Sequence, residues 1–233
     1  MNSTYEAEAV KLTENIFRSV NIALVNELRV IYDNMGIDTW NVIDGASTKP
    51  FGFMPFYPGP GIGGHCIPVD PFYLTYKARQ FSMSTRFIEL AGDINASMPE
   101  YIINKCQELL NKNSKPLKSS KILIMGVAYK KDVDDMRESP SIEIMNRLVT
   151  KGANIDFYDP LIKKIPKLRE YPNFENLERV NLQDKSYIDY DLVLICTDHS
   201  SYDVARVISE SKLIVDTRNC LPGNAYNERI IKA

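Results

Sequence analysis

Between Pro58 and Phe72 the chain reads PGPGIGGHCIPVDPF, which sets a thiol, an imidazole and a carboxylate behind a run of glycines. Gly59, Gly61 and Gly64 satisfy the G-x-G-x-x-G spacing of a dinucleotide-binding turn. That reading fails on context, because no strand pattern leads into the run and His65-Cys66-Ile67-Pro68 follows where a helix should open. The glycines fit better as a backbone that a ligand approaches closely, ending in a positioned thiol. A cysteine thiolate is a competent nucleophile toward aldehydes, favoured by polar neighbours and helix N-termini. On the residues alone, Cys66 is either such a nucleophile or an inert buried cysteine. Asp70-Pro71 reads as a helix N-cap followed by proline at the first helical position, so Asp70 has a structural role open to it as well.

A second polar pair lies upstream. Lys11 and Asn15 stand at i and i+4, on one face of a helix. An ammonium and an amide so placed could hold an oxyanion and a water molecule; equally, they could be two solvated residues of an amphipathic helix. A third set follows an apolar run: GVAYKKDVDDMRESPSI, from Gly126 to Ile142, places Tyr129, Lys130 and Arg137 between a strand end and a helix start at Ser139-Pro140. Strand ends that lead into helix N-termini suit phosphate or ribose recognition. Arg218, in VDTRNC, closes another strand run and is also compatible with a plain surface arginine.

These segments need elements to carry them. A helix is predicted from about Ser3 to Met35, opened by a Ser3…Glu6 capping box, with Leu12, Ile16, Val20, Ala23, Leu24, Leu28 and Ile31 at helical spacing, and stopped by Gly36. A short helix follows at Thr39–Asp44 behind Asp38, then an irregular Gly/Pro loop over 45–68, then a helix opened by Asp70. A further helical stretch over 87–112 is expected to break near Pro99. After the polar linker 113–120, strands are predicted at Lys121–Val127, Ala153–Pro160, Asp191–Thr197 and Lys212–Thr217, with a helix from Ser139-Pro140 to Lys151. Apolar strands alternating with helices indicate a doubly wound parallel sheet with ligand contacts at its carboxyl ends. The fold class is therefore α + α/β. Domains are expected at 1–90 (helical), 91–118 (connecting helix and linker) and 119–233 (α/β).

The chain of 233 residues, 44% hydrophobic and 25% charged, has the composition of a globular protein. A net charge of -2 excludes a global basic field, so no nucleic-acid partner is expected. No apolar run approaches the roughly 20 residues of a membrane span, and the start lacks a signal peptide's basic-then-apolar pattern. Four cysteines without a C-x-x-C pair, and two histidines, argue against zinc and disulfides. The expected compartment is the cytoplasm.

The stretch Pro58–Phe72 resembles the active-site signature of the UDP-glucose/GDP-mannose dehydrogenase family, and the Lys11/Asn15 helix and the Gly126–Ile142 segment resemble two further family segments. The resemblance covers nearly the whole chain. It implies that Cys66 takes a sugar aldehyde as a thiohemiacetal, that Asp70 assists water or proton movement, and that Lys11 and Asn15 serve the same chemistry. It implies substrate contacts at Tyr57, Gly59, Gly61, Gly63, Tyr129, Lys130 and Arg218, and a cofactor-side contact at Arg137. It also implies a helical central domain that makes a homodimer, followed by a Rossmann-like UDP-binding domain. The expected reaction is NAD-dependent oxidation of a UDP-hexose at C6 to the carboxylate. The loop STKPFGFMPFYPGPGI, residues 47–62, looks closest to the UDP-N-acetylglucosamine branch, with UDP-glucose and UDP-N-acetylmannosamine open. One departure stands out: family members carry a glycine-rich NAD domain before the Lys11 helix, and this chain does not, so no turnover is expected from it alone. The alternatives are a non-catalytic UDP-sugar-binding and dimerisation remnant, or an unrelated thiol enzyme acting on aldehydes.

Overall fold

The computed structural model describes residues 3–183 and 185–233. The chain divides into two compact units, one running through Met98 and the other from Pro99 to Ala233. In the first, α1 (Thr4–Asn34) is capped by Ser3, whose hydroxyl accepts from the Glu6 N–H at 3.2 Å. It ends where Gly36 takes φ +70°, a conformation that costs glycine little. Asp38 caps α2 (Thr39–Ser47), accepting from the Trp40 and Asn41 N–H groups at 2.9 and 3.2 Å.

α3 departs from the sequence reading. It spans Cys66–Arg79, so it starts four residues before the expected cap, and both Asp70 and Pro71 lie inside it. Pro71 has no N–H for the Ile67 carbonyl, yet the helix continues because α1 packs against it. α4 (Arg86–Lys112) likewise does not break at Pro99. An interior proline costs roughly 3 kcal/mol, and here the turns on either side are anchored, Asn95 by hydrogen bonds and Ile102 and Ile103 by complete burial.

α1 buries an unexpected face. Its buried residues are Asn15, Ser19, Ala23, Val25, Asn26 and Arg29. Of the apolar stripe read from the sequence, Ala23 is buried, whereas Leu24 and Ile31 are about half exposed, at 50% and 47%. Polar residues on the covered face must find partners there, and they do: Asn26 donates to Asn95 Oδ1 at 2.9 Å, and Asn95 donates to the Ser19 carbonyl at 3.1 Å. Arg29 stacks on Trp40 with its guanidinium carbon 5.0 Å from the ring centroid.

The second unit is a five-stranded parallel sheet in the order β2-β1-β3-β4-β5, with β1 Lys121–Met125, β2 Asn154–Tyr158, β3 Leu192–Ile195, β4 Ile214–Asp216 and β5 Ile230–Lys232. Alternation along β1 explains its unbroken apolar run, since successive side chains face opposite sides of the sheet. Ile122 and Ile124 enter one core with Met145, Leu148 and Phe157, while Leu123 and Met125 enter the other with Tyr187, Val193 and Val207. α5 (Pro140–Thr150) starts as read, with Ser139 as cap and proline at its first turn. α6 (Val204–Glu210) precedes β4. β5 was not expected. Among the described residues, no helix is long and apolar enough to cross a membrane.

Candidate functional site

In the helical unit, Asn15 and Asp70 meet. Asn15, completely buried, donates from Nδ2 to Asp70 Oδ2 at 2.8 Å, and its Oδ1 accepts from Arg18 Nη2. Cys66 is the first residue of α3, one helical turn before Asp70 and on the same side of the helix. His65, at the cap position, makes no side-chain cap bond, which leaves the first-turn N–H groups without the usual side-chain acceptor. Of the four cysteines, Cys66 is exposed. Cys106 and Cys196 are buried, and burial raises the thiol of Cys196 to about 12 and that of Cys106 higher still. Burial, with Asp216 beside it, likewise raises the half-buried Cys220. Lys11, one turn before Asn15, is exposed and lies 3.9 Å from Glu14 Oε2.

The glycine loop is tied down from α1. Asn26 Oδ1 accepts from the Gly59 N–H at 3.0 Å, so the buried Asn26–Asn95 pair positions this backbone. Gly61 and Gly64 take φ of +133° and +84°, which side chains rarely adopt, while Gly63 does not share this positive φ. Tyr57 is half exposed and donates to Asp44 Oδ1 at 2.6 Å. Sequence reasoning missed Asn26, Asn95 and Arg18. The signal available was Asn15, Ser19 and Asn26 at helical spacing in a helix whose apolar residues face elsewhere.

In the sheet unit, Tyr129 and Lys130 lie on the turn after β1, and Arg218 follows β4, so all three sit at carboxyl ends of the sheet. β1 and β3 are the adjacent strands at which the strand order reverses, the place where open α/β sheets bind ligands. Gly126, at φ +86°, is required there: a Cβ would come 2.4 Å from Thr197 Cβ. Lys131 lies 3.6 Å from Asp198 Oδ2, and Arg137 grips Asp135 at 2.7 Å. Lys130, by contrast, is exposed, and its ammonium makes no ion pair among the described residues. Arg218 donates from Nε to the Cys196 carbonyl at 2.7 Å, which fixes its guanidinium at the strand ends. Asp135 thus occupies Arg137, the expected cofactor-side contact. Among the described residues, no group of three or more metal-binding side chains exists. A cavity of about 380 Å³ between Tyr158, Arg179, Tyr187 and Arg206 contains none of these residues.

Two family descriptions match. The UDP-glucose/GDP-mannose dehydrogenase family, central domain, matches residues 5–97, and the UDP binding domain of the same family matches residues 123–223. The chain belongs to the UDP-glucose/GDP-mannose dehydrogenase family. Similar members include a UDP-N-acetyl-D-mannosamine dehydrogenase of Methanocaldococcus jannaschii, 34% identical over 92% of this chain and 47% of its own length. A UDP-N-acetyl-D-glucosamine 6-dehydrogenase of Pseudomonas aeruginosa is 34% identical over 84% of this chain and 44% of its own. Among solved structures, that of a UDP-D-ManNAc dehydrogenase from Pyrococcus horikoshii superposes with a TM-score of 0.80 at 28% identity, covering 96% of this chain and 50% of that one. The chain therefore spans about half the length of the curated family members it matches. Its helical unit contains the family's central domain and its sheet unit the UDP-binding domain.

Proposed function

We propose that this chain supplies the thiol chemistry and the nucleotide contacts of an NAD-dependent UDP-N-acetylhexosamine 6-dehydrogenase, with UDP-N-acetylglucosamine as the leading substrate. The observation that carries this reading is the Asn15–Asp70 contact one turn beyond an exposed Cys66, within the residues that match the family's central domain. The names of the similar members support the N-acetylhexosamine class.

In this reading, the Cys66 sulfur adds to the C6 aldehyde, forming the C–S bond while the carbonyl oxygen takes up the charge. Lys11 offers that oxygen an ammonium, the buried Asn15 amide orients Asp70 for its part, and the N-terminus of α3 favours negative charge beside the adduct. Once the adduct stands at the thioester level, Asp70 accepts a proton from the attacking water, the C–S bond breaks, and the thiol and the C6 carboxylate are released. Lys130 and Arg218 hold the nucleotide end by charge-assisted bonds, with Tyr129 beside them, and the loop at Tyr57, Gly59, Gly61 and Gly63 approaches the sugar. NAD accepts the hydrides when bound. The turn after β1 does not offer a pyrophosphate site, because the Val127 and Ala128 N–H groups donate to Asp159 at 2.9 and 3.1 Å. The exposed Arg137, paired with Asp135, is the residue on this unit that would face the cofactor. No step is therefore assigned to the sheet unit toward NAD.

The same reading makes the protein a cytoplasmic homodimer. Val10, Phe17, Leu24 and Ile31 recur every seventh residue of α1 and are 45–50% exposed, an apolar stripe of the kind that oligomer interfaces cover.

Calorimetric titration with UDP-N-acetylglucosamine, UDP-N-acetylmannosamine and UDP-glucose tests the substrate, and iodoacetamide labelling of Cys66 tests the thiol. The expected result is tightest binding of UDP-N-acetylglucosamine and slower Cys66 alkylation in its presence. Absence of binding by every UDP compound would sink the proposal. Binding without any protection of Cys66 would leave the non-catalytic reading.

A further inference from the structure

The turn that carries Tyr129 and Lys130 is held from outside itself. Asp159, immediately after β2 and completely buried, accepts at Oδ2 from the Val127 and Ala128 N–H groups at 2.9 and 3.1 Å. Its Oδ1 accepts from Leu161 and Ile162 at 2.9 and 3.0 Å, so the carboxylate cannot swing away. The loop after β3 grips the far side. Thr197 Oγ1 donates to the Ala128 carbonyl at 2.7 Å, and the Ser200 N–H and hydroxyl donate to the two carboxylate oxygens of Asp132 at 2.9 and 2.7 Å.

His199 joins these two holds. Its side chain is completely buried, Nδ1 lies 3.1 Å from the Asp132 backbone N, and Nε2 lies 3.2 Å from Asp159 Oδ2. A backbone N–H can only donate, so Nδ1 must be the acceptor. The ring proton then sits on Nε2 and points at Asp159, a tautomer fixed by its neighbours. The bonds to residues 127, 128 and 132 bracket Tyr129, Lys130 and Lys131. Asp132 is held at φ +57°, a conformation unusual for a residue with a side chain.

We infer that His199 is a positioning residue for Lys130: the neutral, Nε2-protonated imidazole, oriented by Asp159, pins the Asp132 amide and so presents the exposed Lys130 ammonium to a nucleotide phosphate. The inference rests on the reading of Lys130 as a nucleotide contact. Its physical basis is preorganisation, since a contact on a turn already fixed loses less freedom on binding than one on a mobile turn. A buried histidine of this kind is usually given a packing role alone. Here both of its nitrogens are committed, one to the segment that bears the charge.

A double-mutant cycle in UDP affinity decides between packing and positioning. Lys130→Ala should weaken UDP binding by roughly ten-fold, and His199→Phe, which fills the space without either nitrogen, by about five-fold or more. If His199 acts through Lys130, His199→Phe added to Lys130→Ala should cost no more than about two-fold further. His199→Asn, whose amide oxygen can stand near Nδ1 and accept from Asp132, should recover most of the loss and guards against a His199→Phe variant that fails to fold. Nitrogen-15 NMR of the free protein should show Nε2 protonated and Nδ1 bare. Fully additive losses, a His199→Phe protein with wild-type affinity, or a proton on Nδ1 would each overturn the clamp while leaving the nucleotide reading standing. If the wild type binds no UDP compound, the nucleotide reading falls and takes the positioning role with it.

Discussion

Asn15 and Asp70, 55 residues apart, are joined by a hydrogen bond of 2.8 Å in which a completely buried amide donates to a carboxylate. Arg18 holds the other end of the amide, so the orientation of Asn15 is set from both sides. The carboxylate is therefore part of a link between α1 and α3, and not the cap that Asp70-Pro71 suggests.

Asn15→Ala removes a hydrogen bond to a charged group, worth about 1.5–3 kcal/mol when buried. Asp70 is half-buried, which favours the lower end. Urea unfolding followed by circular dichroism should show the loss in the helical unit. An unchanged midpoint would mean that water replaces Asn15 at Asp70 without cost.

Cys66→Ser and Lys130→Ala should separate chemistry from binding. If, as proposed, the thiol serves covalent chemistry at C6, Cys66→Ser should leave UDP-sugar affinity within about two-fold of wild type. Lys130→Ala should weaken it roughly ten-fold. The reverse pattern in calorimetry would exchange the two roles.

Phe17→Glu and Leu24→Glu place charges at the middle of the exposed stripe of α1. Each buried charge in an apolar interface is costly, so sedimentation at micromolar concentration should show a dimer for wild type and monomer for the double variant. A wild type that sediments only as a monomer argues against the interface.

Asp159 predicts an acid dependence. Burial alone would raise its carboxyl, but the His199 bond and the N–H groups of Leu161, Ile162 and Ala128 outweigh this and hold it at about 2, below the ordinary 3.8. A carboxyl depressed on folding stabilises fully above its unfolded value and loses that contribution as pH falls through the folded one. The contribution is about 2 kcal/mol at 1.36 kcal/mol per pK unit. Asp159→Asn should thus destabilise the sheet unit at pH 6 by at least that amount, and the gap to wild type should narrow between about pH 4 and pH 2. A gap constant across this range in guanidinium titrations would show that the carboxyl is not depressed.

Gly126→Ala should destabilise the sheet unit without touching any ligand group. A Cβ there would collide with Thr197 Cβ at 2.4 Å and with the Thr197 backbone at 2.8 Å, at a φ that alanine rarely adopts. A fall in thermal midpoint of several degrees is expected, and an unchanged midpoint would mean that the loop after β3 moves aside.

Local signals in the sequence were strong where one element sufficed. Ser3, Asp38 and Ser139 cap helices as their types require, and Gly36 ends one, because these roles depend on a few neighbouring residues. β1 and β3 were legible because a strand buried on both faces is apolar almost throughout, while β2 and β4, which include Asp156 and Asp216, were legible from the apolar residues beside those carboxylates. Cys66 stood out for its residue type and its glycine setting. The start of α3 was misread because Asp70-Pro71 obeys a local rule that packing against α1 overrides.

By itself, then, the sequence determined most of the helices, the first four strands and that the second unit is a parallel sheet, and it put forward Cys66, Lys11, Asn15 and Asp70 as candidates for the chemistry. Only the tertiary structure decided which face of α1 is covered, since Asn15, Ser19 and Asn26 can be buried once Asp70, Asn95 and Gly59 arrive from distant segments to satisfy them. It alone decided that His199 and Asp159, 40 residues apart, share a proton contact and pin the turn bearing Lys130. A hydrogen bond between remote residues leaves no period or spacing in the chain, because its geometry exists only after the sheet has brought the two loops together.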